Sequence, residues 1–383
     1  MKIVLAPDSF KGTLNSAEVC RILREAFNRC LPAAAVTCLP MADGGEGTLA
    51  ALVAATGAEV RSVPVLDPLG REIQADFALL PQNRGAFIEM AAASGLERLR
   101  DEERNPMVAG TDGTGQLVRA ALDAGATELT IGIGGSATVD GGAGFARALG
   151  CRLLDAAGQE LPPGGGSLHR LAKLEVSSCD RRLRKARIRV ACDVTNPLLG
   201  PTGAATVFGP QKGASPEDVG QLEDGLRHWT QAVVRAGLAK DSDHPGDGAA
   251  GGLGFALRAL AGAEMVSGAH LIAEVAGLKQ AIATADLVVT GEGRTDFQTL
   301  FGKLPVVVAK LSAAAGVPCV LISGAIAGDQ APLREHFAAC FSTVPAVLPL
   351  AEVLLHAEMN LFSCGCAVAG LIAAAGKRKG GSR

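Results

Sequence analysis

Apolar residues come in short blocks separated by glycine-rich polar stretches, and the spacing inside the blocks is of two kinds. Ile3–Ala6 is an unbroken apolar run that predicts a buried strand. From Ala17 to Phe27 apolar residues recur at helical spacing, with Ser16 as the expected N-cap. Val36–Pro40 predicts a second strand, followed by the loop Asp43–Gly47 and a helix from about Thr48 to Thr56. Strand, glycine-acid loop, helix is the rhythm of a doubly wound α/β layer.

From Val60 the texture changes. Val60–Val65, Glu72–Leu79 and Gly85–Met90 read as short strands joined by turns at Pro68-Leu69-Gly70 and Pro81-Gln82-Asn83, which predicts mixed or antiparallel sheet. The first rhythm then resumes, with a helix near Gly115–Ala124, a strand at Leu129–Ile133 and a helix near Ala143–Leu149. After a Gly/Pro-rich connection at Pro162–Gly166 comes a strand at Ile188–Cys192. A glycine-dense stretch, Gly246–Gly254, precedes a helix near Phe255–Leu260. One helix is expected at about Ile272–Thr284, and strands at Asp286–Thr290, Val317–Ile322 and Cys340–Val344.

The two ends of the chain share one style and the middle has another. The expected fold class is therefore α/β, with two α/β domains: a Rossmann- or flavodoxin-like parallel-sheet domain interrupted by a large inserted mixed-sheet α/β domain. The expected boundaries are 1–62 plus 275–383 for the first and 63–274 for the insert, with an active site in the cleft between them. A length of 383 residues suits two domains, and no internal repeat at fixed period is visible.

Composition narrows the function. With 48% apolar and 20% charged residues the chain can bury a large core, and a formal charge of −3 supplies no basic field for nucleic acid. Tyrosine is absent and Trp229 is the single tryptophan, so base-stacking platforms are scarce. The ten cysteines form no paired framework in the sequence, and Cys364-Gly365-Cys366 lacks a second ligand pair at metal spacing, so buried thiols in a reducing cytoplasm are expected. The N-terminal run is too short for a signal peptide. Leu361–Gly376 is the longest membrane-like stretch; it falls short of about 20 apolar residues and contains Ser363 and three glycines, so it predicts a buried C-terminal helix, with Lys377–Arg383 a frayed basic tail. No membrane or nucleic-acid partner is expected.

Chemistry concentrates in loops that follow predicted strands. Asp8-Ser9-Phe10-Lys11-Gly12, Ala42–Gly47, Gly134–Gly144, Ala191–Asn196 and Gly291–Asp296 each set a carboxylate among glycines or small polar residues. Glycine lets backbone N–H groups approach a ligand, and carboxylates hold Mg²⁺ or take a proton. Asp8 with Lys11 is either a ligand-handling pair or a surface ion pair. Asp43 and Glu46 either share a cation or serve a helix N-terminus. Asp193 before Asn196-Pro197 is either catalytic or an Asx-turn. Phe208–Gly213 is a turn carrying Lys212, which by itself reads as an exposed, solvated lysine. Gly291–Asp296 is denser, with two acids and an arginine able to fork onto a phosphate or carboxylate.

Gly132-Ile133-Gly134-Gly135-Ser136-Ala137 satisfies a G-x-G-x-x-A dinucleotide pattern, but it runs on into a second glycine cluster around Asp140 instead of entering a helix, which favours an anion-binding loop. Gly302-Lys303-Leu304 is not a Walker A sequence, and no histidine arrangement suits triad or zinc chemistry.

Six motifs in register resemble bacterial type I glycerate kinases: Met1–Gly12, Ala42–Thr48, Gly134–Thr138, Ala191–Leu198, Phe208–Ala214 and Gly291–Arg294. The resemblance runs from Met1 to about Gly370. It implies ATP-dependent phosphorylation of D-glycerate to 2-phosphoglycerate in glycolate, glyoxylate or sugar-acid breakdown, with Mg²⁺ as cofactor. It also implies a site drawn from Asp8, Ser9, Lys11, Asp43, Gly44, Glu46, Gly134, Gly135, Ser136, Asp193, Asn196, Gln211, Lys212, Glu292, Arg294 and Asp296. The expected roles are Asp193 as proton acceptor, with Asp8 and Lys11 beside it in catalysis, and Asp8, Asp43 and Glu292 as candidate Mg²⁺ ligands. Lys11 and Lys212 are expected on phosphate oxygens, and Arg294 on the glycerate carboxylate. Two departures from the family pattern stand out: Val139 where many relatives carry Asn, and Val306-Val307-Val308 where a second glycine is usual. The rival readings are a nicotinamide-dependent hydroxy-acid oxidoreductase using the Gly132 loop, and a ligand-binding regulator without turnover.

Overall fold

A computed structural model describes residues 1–45, 47–81 and 84–380. Glu46, the Gln82-Asn83 part of the expected turn and the last three residues of the expected tail lie outside the described residues. Two compact units form: Met1–Asp43, Ala50–Gly57 and the chain from Ala269 onward make the first, and Gly44–Leu49 with Ala58–Gly268 make the second.

The first unit is built on a five-stranded sheet in the spatial order Ala339–Ser342, Cys319–Ser323, Leu287–Thr290, Lys2–Leu5, Ala35–Cys38. Every pairing in it is parallel. Counted along the chain within this unit, that is the flavodoxin order, with its switch point between Lys2–Leu5 and Leu287–Thr290. Ile3, Val4 and Leu5 are all buried, as a central parallel strand covered on both faces requires, and this is why the strand reads as an unbroken apolar run.

Helix Ser16–Cys30 packs Val19, Ile22, Leu23 and Phe27 into the core of this unit. Its N-cap is Asn15, not Ser16. The Asn15 side chain accepts from the Glu18 N–H at 2.9 Å and Glu18 accepts from the Asn15 N–H at 2.8 Å, a reciprocal arrangement that needs their three-residue spacing. The single helix expected at 272–284 is two, Gly268–Val275 and Leu278–Ile282, because the chain turns at Gly277 with φ +71°.

The C-terminal helix, Ala357–Gly380, also departs from expectation. It is long and apolar enough to cross a membrane, but only 28% of its apolar window is buried. Leu361, Val368 and Ala369 form its buried stripe in the first unit's core, whereas Met359 and Leu371 are exposed. It docks by one face, so its apolar content does not translate into burial.

The second unit carries a six-stranded sheet in the order Glu264–Val266, Arg187–Ala191, Glu128–Gly132, Gly85–Glu89, Glu72–Leu79, Glu59–Leu66. The first four strands are mutually parallel and the last two add antiparallel pairs, the mixed sheet expected from the change of texture at Val60. The turn at 68–70 is closed by Asp67, whose Oδ1 accepts from the Leu69 and Arg71 N–H groups. Trp229 is fully buried and its indole N–H donates to the Gly141 carbonyl at 2.8 Å.

All ten cysteines are free thiols. Folding nevertheless brings three pairs into each other's neighbourhood, Cys20 with Cys38, Cys151 with Cys179 and Cys30 with Cys366.

Candidate active site

In the first unit the candidate residues leave the C-terminal ends of strands that flank the switch point, where open α/β sheets bind ligands. The loops after Lys2–Leu5 and Leu287–Thr290 are tied together by the Asp8 N–H donating to the Gly291 carbonyl (2.8 Å) and by Thr290 Oγ1 donating to the Ala6 carbonyl (2.8 Å). Asp8 accepts from the Ser9 N–H at 2.7 Å. Burial, then the neighbouring Asp43, push the Asp8 carboxyl up to about 7, against the opposing pull of the Ser9 N–H and Lys11. Lys11 is exposed and its Nζ lies 3.9 Å from Asp43, a contact of little energetic weight in solvent.

Glu292 is buried, and two hydroxyls that sequence reading missed hold it. Thr295 Oγ1 donates to Glu292 Oε1 at 3.0 Å and Thr299 Oγ1 to the same oxygen at 2.7 Å. Its other oxygen is 3.9 Å from Lys303 Nζ. Burial raises the Glu292 carboxyl above its usual range, opposed by Thr299 and Lys303. The missed signal was the placing of hydroxyls three and seven residues beyond Glu292. Arg294 is exposed, 3.7 Å from Asp296. Asp296 accepts from the Gln298 N–H at 3.0 Å as N-cap of the short helix Phe297–Phe301, a local structural duty for a residue expected at the substrate.

Among the described residues no three His, Cys, Asp or Glu side chains converge to hold a metal ion. Glu292, with one oxygen taken by two hydroxyls and the other turned to Lys303, is a poor direct ligand. Asp8 and Asp43 remain, two carboxylates whose mutual repulsion a divalent cation relieves. Mg²⁺ is usually held by one or two carboxylates together with substrate phosphates, so this donor set fits.

In the second unit the strands Gly85–Glu89, Glu128–Gly132 and Arg187–Ala191 lie in parallel register, Glu89 beside Gly132 beside Ala191. The loops bearing Gly134–Ser136 and Asp193 therefore leave from neighbouring strand ends. Gly44 lies across them: a Cβ on Gly132 would sit 2.6 Å from the Gly44 carbonyl oxygen, and a Cβ on Gly44 would sit 2.7 Å from the Ala191 Cβ. The Leu49 N–H donates to Glu89 Oε1 at 2.6 Å and anchors the same segment. Gly44, Gly134, Gly135, Ser136 and Asp193 thus gather at the C-terminal ends of these neighbouring strands. Asp193 is exposed, and its carboxylate accepts from the Gly268 N–H at 3.0 Å, which orients it.

Asn196 donates to the Thr202 carbonyl at 2.9 Å and accepts from the Gly248 N–H through its own carbonyl at 3.0 Å, so it folds its own loop. Asp140 is completely buried and accepts from Thr111 Oγ1 (2.8 Å) and from the N–H groups of Thr111, Gly142 and Gly144; it is a scaffold carboxylate, not one offered to ligand. Val139 is buried in the apolar core. Gln211 is exposed. Lys212, expected as a solvated cation, is 1% exposed: its Nζ donates to Ser136 Oγ at 2.5 Å and to the Thr138 carbonyl at 2.7 Å. After Gly132 the chain runs through the glycine loop before helix Ala143–Ala148 begins, unlike a dinucleotide fingerprint that opens a helix directly.

A family model described as the glycerate kinase family matches residues 3–373. The chain is 46% identical to a glycerate kinase of Bacillus subtilis over 93% of its own length and 94% of the relative. It is 44% identical to the glycerate 2-kinase of Escherichia coli, covering 94% and 95% of the two chains. It is also similar to a crystal structure assigned to glycerate kinase 2 of Salmonella typhimurium LT2, with a TM-score of 0.90, 43% identity and coverage of 98% and 99%.

Proposed function

We propose that this chain, which belongs to the glycerate kinase family and is therefore a kinase, transfers the γ-phosphoryl group of ATP to the 2-hydroxyl of D-glycerate. The choice of the 2-hydroxyl is supported by the Escherichia coli relative, named a glycerate 2-kinase at 44% identity. The observation that carries the chemistry is Asp193: an exposed carboxylate at a parallel strand end, oriented by one backbone N–H and flanked in register by the Gly134–Ser136 loop.

Phosphoryl transfer asks a protein mainly for positioning and charge neutralisation. Asp193 takes the proton of the glycerate hydroxyl as the phosphoryl group arrives. The Gly134–Ser136 loop receives anionic oxygens, Lys11 offers an exposed positive charge, and Arg294 forks onto the glycerate carboxylate. Asp8 and Asp43 would hold Mg²⁺, which when bound neutralises phosphate charge.

The test is ADP release by the purified protein with D-glycerate and ATP, followed by phosphorus NMR of the product. A 2-phosphoglycerate signal is expected. A 3-phospho product refutes the regiochemistry, and absence of ADP release together with nicotinamide reduction by a hydroxy acid refutes the kinase reading.

A further inference from the structure

Among the described residues Lys212 is a buried cation with no carboxylate in contact, and its Nζ hydrogen-bonds there to uncharged oxygens, Ser136 Oγ and the Thr138 carbonyl. The acid that acts on it electrostatically, Asp140, already accepts four hydrogen bonds from Thr111, Gly142 and Gly144. A buried charge without a partner is costly, so its retention behind a glycine loop asks for a counter-charge from outside the chain. Burial accordingly pulls the Lys212 ammonium down to about 7.

Two features of the loop say where that counter-charge would sit. Ser136 accepts from Lys212, and a hydroxyl that accepts a charge-assisted bond still has its own proton to donate. On the same loop Thr138 Oγ1 is completely buried and has no hydrogen-bond partner among the described residues, so a second hydroxyl there is unsatisfied.

We propose that Lys212 is a positioning residue that acts through Ser136, turning the serine hydroxyl into a polarised donor for an anionic substrate oxygen that Lys212 itself never touches. The substrate supplies the missing negative charge, and the short helix Pro210–Lys212 is clamped to the Gly134–Thr138 loop only when both hydrogen bonds from Nζ are in place. The anion is a nucleotide phosphate or the acceptor carboxylate. The proposal rests on the kinase reading above for the identity of those anions.

The test is a double-mutant cycle on Ser136→Ala and Lys212→Met, with kcat, the KM of each substrate and direct calorimetric titration of ATP and of D-glycerate. Ser136→Ala is expected to weaken one of the two substrates about tenfold and leave the other within about twofold; the substrate affected identifies the anion. Lys212→Met is expected to weaken the same substrate at least as much, and the double variant no more than Lys212→Met alone, because the serine then has nothing to transmit. Equal weakening of both substrates, or additive losses, overturns the proposal by making Lys212 merely structural. If Lys212→Met does not fold, Ser136→Ala decides alone: wild-type binding of both substrates overturns the relay. Should the wild-type protein not phosphorylate glycerate, the kinase reading fails, whereas titration of ATP into wild type and Ser136→Ala still reads the relay.

Discussion

The two units use the same device to opposite electrostatic ends. Each has parallel strands whose C-terminal ends project adjacent loops. In the first unit those loops concentrate carboxylates, and Asp8 is pushed up to about 7 by burial and by Asp43. In the second, the glycine loop Gly134–Thr138 packs against the buried lysine of the short helix Pro210–Lys212, which burial pulls down to about 7. Either set by itself is energetically unfavourable, one from burial with a like charge beside it and the other from burial of a cation. Groups disfavoured in their charged form cluster at functional sites, which is why Asp8 and Lys212 are the two to test.

The largest test removes chemistry from the second unit without disturbing its frame. Asp193→Asn keeps an oxygen for the Gly268 N–H but not a proton acceptor, so kcat should fall about a thousandfold with the thermal midpoint nearly unchanged. A variant that keeps its kcat removes Asp193 from the reaction.

Next in size is a test of the glycine packing that supports the lysine loop. Gly251 has φ +66°, and a Cβ there would collide with the Thr138 carbonyl, the same oxygen that accepts from Lys212. Gly251→Ala should destabilise the second unit by about 3 kcal/mol or more. Trp229 reports it, since Gly141 links the two, donating to the Gly251 carbonyl and accepting from the Trp229 indole. An unshifted denaturant midpoint would show that the loop is slack.

The pH dependence of Lys212 gives a smaller effect. Its pKa is lowered in the folded state from 10.5 to about 7, so above about pH 7 the unfolded chain binds the extra proton. Stability therefore rises with pH between those two values and is flat below. Wild type should gain about 2 kcal/mol on Lys212→Met between about pH 7 and about pH 9, read from denaturant midpoints. No change in the difference would mean that Lys212 is not desolvated as the structure places it. The smallest effect belongs to the frame of the first unit: Asn15→Ala removes the cap of helix Ser16–Cys30 and should cost about 1 kcal/mol, seen as faster amide exchange in its first turn.

Most strands of both sheets were legible in the sequence because the parallel ones are short apolar runs, and the change of style at Val60 reflects a change from buried parallel to half-exposed antiparallel strands; the three-residue edge strand Glu264–Val266 was missed, being too short to show a period. Local competition was harder to read. Asn15 displaced Ser16 as cap because Glu18 completes its box, and Gly277 broke what periodicity showed as one helix. The C-terminal helix misled because apolar content alone does not say how many faces another element covers.

The chain order of apolar runs, glycines and acids determined by itself the α/β class, the two textures and the glycine-acid loops after the strands, because those depend on residues a few positions apart. Tertiary structure alone decided which charges are exposed and which partners they meet. Lys212 and Ser136 are 76 residues apart, and Cys30 meets Cys366 across most of the chain. Such contacts are fixed by sheet order and packing, and no local pattern encodes a neighbour brought from that distance; the same packing set Thr295 and Thr299 on Glu292 and closed Asp140 away from solvent.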